Sequence, residues 1–224
     1  MKNSYIVVGA IVLIAIIAFV FNSKKTEAPI DGTLDKTGIE NVSINPGEYK
    51  LNTTESSLKW KGEYLAGLSE EGTVALSSGF VKVENGLLLE GEFIIDMNSI
   101  DSIPHKDKLV AHLKNDDFFS VDKYPTSKFV IKSFAPSSEE GTKVGRYIIG
   151  GNLTVRGIEK PISFMATVLP NSDGGLTATG SFAINRADWE VKYNSSSFFT
   201  NLGDKIIRDA VEITLDLKAQ KVIQ

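Results

Sequence analysis

Side chains able to do covalent chemistry are scarce in this chain. It holds no cysteine and two histidines, His105 and His112. Without cysteine there is no thiol nucleophile, no thiolate metal site, no disulfide and no acylated lipoprotein anchor. Two histidines do not supply a multi-histidine metal centre. Asp96, Asp101, Asp107, Asp116, Asp117 and Asp122 fall among loops and strand ends. Their spacing follows no calcium-loop template, and nothing pairs them across a cleft as acid and base. Ser195-Ser196-Ser197 lacks the Gly-x-Ser-x-Gly setting of a hydrolase nucleophile. The residues point to binding rather than catalysis, with no cofactor and no metal.

Two other groups carry binding chemistry. Phe93, Ile95, Phe129, Ile131, Phe164 and Phe182 sit on apolar phases of strands. They either line a cavity for a hydrocarbon tail or fill the interior themselves. Arg186 and Trp189 share the segment NRADW. The arginine could hold a phosphate or carboxylate headgroup, or pair with a nearby acidic residue while Trp189 packs over one end. His112 is a second headgroup candidate, with local packing as the alternative. Phe118-Phe119 and Phe198-Phe199 form matching pairs, either gating a cavity rim or anchoring loops onto the domain.

The elements that must position these residues read as strands. Leu58, Trp60, Gly62 and Tyr64 alternate in phase. So do Leu87, Leu89, Gly91, Phe93, Ile95 and Met97, and then Tyr147, Ile149, Gly151, Leu153 and Val155. Ile162–Val168, Leu176–Ile184 and Val211–Ala219 repeat the pattern. Glu84-Asn85-Gly86, Arg156-Gly157 and Asp173-Gly174-Gly175 separate the runs as turns. About eight antiparallel strands with few helices make a sandwich or a barrel. Glycines on the apolar phase at 91, 151 and 180 fit the coiling of a closing barrel. Eight strands enclose room for side chains or one small ligand.

One helix interrupts the strands. In KDKLVAHLK, Lys106 to Lys114, the apolar Leu109, Val110 and Leu113 share a face and suit a plug over one barrel end. Tyr124-Pro125 then forces an extended path into a strand starting near Thr126.

The N-terminal segment 1–23 is of another kind. Tyr5 to Phe21 is seventeen residues without charge, flanked by Lys2 and by Lys24-Lys25. As a helix it would be roughly 26 Å long, near the lower limit for crossing a bilayer. An uncleaved transmembrane anchor is expected, with a cleaved signal peptide and secretion as the alternative. Either places the remainder on the periplasmic or extracytoplasmic face. Residues 24–46 are polar and read as a flexible linker, and 47–220 as the barrel domain. Setting aside Lys2, Lys24 and Lys25 leaves 21 basic residues against 28 acidic, a net −7. Such a surface repels nucleic acid.

Several stretches together resemble the YceI family of bacterial periplasmic proteins. They are GEFIIDMNSID (91–101), KLVAHLKNDDFFSVDKYPTSKFVI (108–131), GGNLTVRGIEKPISF (150–164), FAINRADWEVKYNSSSFFTNLGDKI (182–206) and DAVEITLDLKA (209–219). The resemblance runs from about Glu48 to Ala219. It implies an all-β, antiparallel, lipocalin-like barrel with one short helix and a long apolar cavity. It further implies an isoprenoid or other long-chain fatty amphiphile as partner, with no enzymatic activity. A homodimer stays open. One motif departs: where relatives carry Gly-x-His-x-Gly, this chain reads AGLSEEGTV, with Ser69 and Glu70 in place of the histidine. The expected function is an extracytoplasmic carrier. The alternative is a packed barrel serving a structural, stress-protective or protein-interaction role.

Overall fold

The computed structural model describes residues 43–137 and 145–223. Nine strands and one helix follow in order. They are β1 (Gly47–Leu51), β2 (Ser57–Tyr64), β3 (Ser69–Glu84), β4 (Leu87–Ile103), α1 (Asp107–Lys114), β5 (Thr126–Pro136), β6 (Arg146–Val155), β7 (Ile158–Pro170), β8 (Leu176–Asn185) and β9 (Ile207–Lys221). All pairings are antiparallel. The ladder runs β2-β9-β8-β7-β6-β5-β4-β3 and returns to β2, which closes the barrel.

Nine strands make eight staves because β1 and β2 share one position. β1 pairs Phe80–Val83 of β3 and Ala219–Lys221 of β9, while β2 pairs the remaining lengths of the same two neighbours. The turn between them breaks a stave while the ring of pairings still closes; the β7–β8 seam is the shortest, pairing only Thr167–Pro170 with Leu176–Thr179.

Turn chemistry sets the hairpins. Asn85 and Gly86 both adopt positive φ, as do Arg156 and Gly157. Two successive left-handed residues give the tight turn whose twist matches that of the flanking strands.

The alternation expected for β4 fails at its start. Leu87 and Leu89 are exposed, and Leu88 is buried at 8% exposure. Val83 pairs with Leu88 while Lys82 pairs with Glu90, so Leu89 is an extra residue in the ladder. This bulge reverses the face on which the side chains stand. A wider irregularity follows, where Thr73 pairs with Asp101 and Ala75 with Asp96. The Ser99 hydroxyl accepts from Ala75 N (2.7 Å) and donates to Asp96 O (2.6 Å), holding the bend where the regular ladder is missing.

α1 packs against β4 at one end of the barrel. Val110 and Leu113 are buried beneath it. The segment after it loops back to satisfy the helix's terminal carbonyls. Phe119 N donates to Leu113 O (3.1 Å) and Val121 N to Lys114 O (2.8 Å). Phe118 thereby enters the core, and Arg156 of the β6–β7 turn donates to its carbonyl oxygen.

The interior packs as two clusters. One, around Tyr49, Val83, Leu88, Tyr147 and Ile149, fills the end opposite the helix. Ile44, from the segment expected to be linker, is fully buried within it. The other, around Leu76, Ile95, Met97, Leu113 and Val121, fills the helix-bearing end. The expected membrane helix at 5–21, and the linker as far as residue 42, lie outside the described residues. Among the described residues no helix is long and apolar enough to cross a membrane.

Candidate functional site: an apolar hollow in the barrel

A hollow of about 280 Å³ runs through the barrel interior. Leu58, Trp60, Phe164, Phe182, Val211 and Ile213, inward on β2, β7, β8 and β9, are half-buried, although Ala166, Val168, Leu176 and Leu215 on the same strands are buried. Inward side chains of β3 to β6, such as Val74, Leu76, Ile95, Phe129, Ile131 and Ile149, are buried against one another. Every stave thus borders the hollow, and half-buried side chains are most frequent on β2, β7, β8 and β9.

Glycine marks both the filled and the open sides. At Gly151 a Cβ would lie 2.6 Å from Phe129 Cζ, so this glycine makes room for the phenyl ring. At Gly62, on the wall at β2, a Cβ would meet nothing within 4 Å. Two residues of one type thus have opposite surroundings: Gly151 is packed over by its own protein, and Gly62 borders the void.

Phe93, Ile95, Phe129, Ile131, Phe164, Phe182, Trp189 and Arg186 all line the hollow. Three of the phenylalanines also touch each other. Phe129 and Phe164 lie 5.6 Å apart between ring centroids, and Phe164 and Phe182 stack at 4.1 Å. They form a continuous aromatic strip rather than a plug, since space remains beside them.

Arg186 follows β8 in a single 3₁₀ turn, Arg186–Trp189. It is 5% exposed. Nη1 donates to Val191 O (2.8 Å), Nη2 to Ile207 O (3.0 Å) and Nε to Arg208 O (3.3 Å). Asp209 Oδ1 lies 3.2 Å from Nη2. Burial lowers the guanidinium pKa from its ordinary value, and the Asp209 carboxylate opposes that shift. Ser195 and Ser197 donate to the other Asp209 oxygen at 2.9 and 2.6 Å. Each guanidinium nitrogen reaches a backbone carbonyl and the charge is compensated by Asp209, so Arg186 braces the start of β9. Trp189, 2% exposed, donates from Nε1 to Leu153 O (3.0 Å) and seals the turn onto β6.

His112 stands outside the wall of the hollow. Its Nε2 lies 3.1 Å from Asp117 Oδ2, and its ring meets Phe118 and Tyr193 edge-on. It is half-buried on the flank of α1, packed between Phe118 and Tyr193 and outside the lining of the hollow. The other histidine, His105, is exposed between Asp101 and Asp107. Hydrogen bonding to Asp101 first, and then to Asp107, holds its pKa above the ordinary value. Among the described residues no three histidine, aspartate or glutamate side chains gather to hold a metal ion.

Sequence reasoning singled out neither Gly62 nor Ser127 as site residues. Ser127 carried a signal, because it falls on the same inward phase as Phe129 and Ile131. Glu70, in the segment where the resembling family carries a histidine, also lines the hollow and pairs with Lys106 at the N-cap of α1. The rim at the helix-bearing end is apolar: Leu65 and Leu68 of the β2–β3 turn, Ile103, Phe198 and Phe199 are exposed. Phe118 is buried and Phe119 half-buried, so the first phenylalanine pair anchors and the second stays at the surface.

A protein-family model described as the YceI-like domain matches residues 49–219. A UPF0312 protein from Shewanella denitrificans is 27% identical over 184 residues, covering 76% of this chain and 91% of its own. The crystal structure of BcnA from Burkholderia cenocepacia superposes with a TM-score of 0.62 at 21% identity, over 76% of this chain and 99% of that one. A polyisoprenoid-binding domain from Saccharophagus degradans, implicated in plant cell wall breakdown, gives a TM-score of 0.61 at 17% identity, over 81% of this chain and 100% of that one.

Proposed function

The chain belongs to the YceI-like domain family, and on that premise we propose that it binds a long-chain isoprenoid or comparable amphiphile in the barrel hollow. The observation that carries this reading is the free volume walled almost entirely by aliphatic and aromatic side chains. The polyisoprenoid binding of the structurally similar Saccharophagus degradans domain supports it. Burying a tail contributes roughly 0.8 kcal/mol per methylene. Association costs at least about 4 kcal/mol in lost freedom. Five or six methylenes are consumed by that cost alone, so long tails bind and short ones do not.

The role proposed is carriage rather than catalysis. The apolar segment 5–21 holds the protein at a membrane, on the extracytoplasmic face, and the barrel takes up a tail there. The exposed leucines and phenylalanines at the helix-bearing end give a tail an apolar surface to cross. The test is organic extraction and mass spectrometry of the full chain, purified from membrane-containing cells without detergent exchange. A long-chain isoprenoid or fatty amphiphile at near-equimolar ratio is expected. Protein free of lipid, and unable to take up an added prenol, would overturn the reading.

A further inference from the structure

One polar atom in the wall has no partner. Ser127 is the second residue of β5 and points inward with Phe129 and Ile131. It is 4% exposed and lines the hollow. Its Oγ makes no hydrogen bond; among the described residues the other buried side-chain polar atom without one is Asp209 Oδ1, which still lies 3.2 Å from the Arg186 guanidinium. Buried hydroxyls are as a rule satisfied, because an unpaired one loses its water partners without replacement. A partner is therefore expected from something that occupies the hollow.

The surrounding charge constrains what that something is. The charged residues of the wall are Glu70 and Arg186. Glu70 pairs with Lys106, and Arg186 with Asp209 and three carbonyls. Among the described residues of the wall no cation is left without a counter-charge to neutralise a phosphate or carboxylate, and a buried anion without one is strongly disfavoured. A neutral oxygen fits: a hydroxyl donates one hydrogen bond and accepts others. Position sets direction as well. Ser127 lies one residue in from the strand end on the helix-bearing side, while the opposite end is closed by Ile44, Tyr49, Val83 and Leu88.

We infer that Ser127 is the specificity contact of the hollow: it hydrogen-bonds a neutral alcohol, phenol or carbonyl oxygen of the guest near the helix-bearing end, while the tail points toward Tyr49. This rests on the proposed function and adds the chemistry and orientation of the guest. Prenols and fatty alcohols share that chemistry, and the test separates them.

Both tryptophans of the chain, Trp60 and Trp189, line the hollow, so their emission reports occupancy. Delipidated full chain is titrated with farnesol, hexadecanol and hexadecane, as wild type, Ser127→Ala and Ser127→Thr. Wild type is expected to prefer the alcohols over hexadecane by roughly fivefold to tenfold, the scale of one net hydrogen bond. Ser127→Ala abolishes that preference without weakening hexadecane, and Ser127→Thr keeps it. The ratio of farnesol to hexadecanol identifies the tail class. Equal binding of alcohol and alkane by wild type, or an unchanged preference in Ser127→Ala, would overturn the inference and leave the proposed function standing. Failure of all three probes to bind would remove the proposed function, and this inference with it.

Discussion

Gly62→Leu separates a hollow that receives a guest from one that is incidental to folding. Gly62 lies in β2, lines the hollow, and has no atom within 4 Å of where a Cβ would stand. Its backbone is not in the left-handed region, so leucine meets no strain there. A glycine inside a strand costs about 0.5–1 kcal/mol relative to alanine. The variant should therefore fold as well as wild type, or melt about 1–4 °C higher for a domain of this size. Its effect on binding is opposite. Four added carbons occupy the space of about four tail methylenes, at roughly 0.8 kcal/mol each, which removes about 3 kcal/mol. That corresponds to about a 200-fold weaker Kd for a long-chain alcohol. Calorimetric melting and tryptophan-detected titration on the same preparation read both quantities. A normal melt with unchanged affinity would show that the tail does not occupy this space. A melt lowered by several degrees would show that the space beside Gly62 is not open.

Three other perturbations follow from the same geometry. Asp209→Asn leaves the Arg186 guanidinium buried without its counter-charge, and should cost about 3 kcal/mol or more in urea unfolding; a variant as stable as wild type would contradict the bracing role. Gly151→Ala places a Cβ 2.4 Å from the Val130 carbonyl oxygen and 2.6 Å from Phe129 Cζ, and should destabilise by about 1–3 kcal/mol through overpacking, where an unchanged melt would show that both the backbone of β5 and the Phe129 ring give way. His105 should titrate by NMR above the ordinary histidine value because Asp101 and Asp107 accept from it, and Asp101 should titrate below the ordinary aspartate value because His105, and then Ser102 N, donate to it. The histidine's contribution is complete below its unfolded pKa and fades as pH rises through the raised one. That of Asp101 is complete above its unfolded pKa and fades as pH falls through the lowered one. The pairing is thus strongest between about pH 4 and 6.5, and a His105 pKa at or below the free value would contradict it.

Much of the barrel was legible because its strands obey one rule. An inward face needs an apolar residue at every second position; β6 and β8 keep to it throughout, and β7 and β9 from Ile162 to Val168 and from Val211 to Ala219. The turns were legible because Asn85-Gly86 and Arg156-Gly157 are suited to positive φ. At Leu87-Leu88-Leu89 the rule had no purchase. Three consecutive leucines satisfy either phase, and only the pairing partner across the ladder decides which is buried.

The site was less legible than the fold, for reasons of volume and distance. Alternation shows which side chains face inward, but not whether their volumes sum to a filled interior. Phe164 and Phe182 both stack on each other and border free space, and no spacing encodes that. Gly62 and Gly151 look alike in sequence and differ only in what the neighbouring stave places beside them. Arg186 is braced by Asp209 and by carbonyls of Ile207 and Arg208, which the β8–β9 ladder brings to it from beyond the intervening loop. That arrangement turned a headgroup candidate into a strut. His112 lost its candidacy because helix phase put Leu109 rather than the histidine toward the hollow.

The central claim is that the apolar hollow of the barrel takes up an extended tail. A series of n-alcohols of increasing length, titrated against delipidated full chain, tests it most directly. Affinity should rise about fourfold per methylene, matching roughly 0.8 kcal/mol each, and then level off once the hollow is full. An affinity independent of chain length, or one rising without any plateau as in simple partitioning, would contradict it.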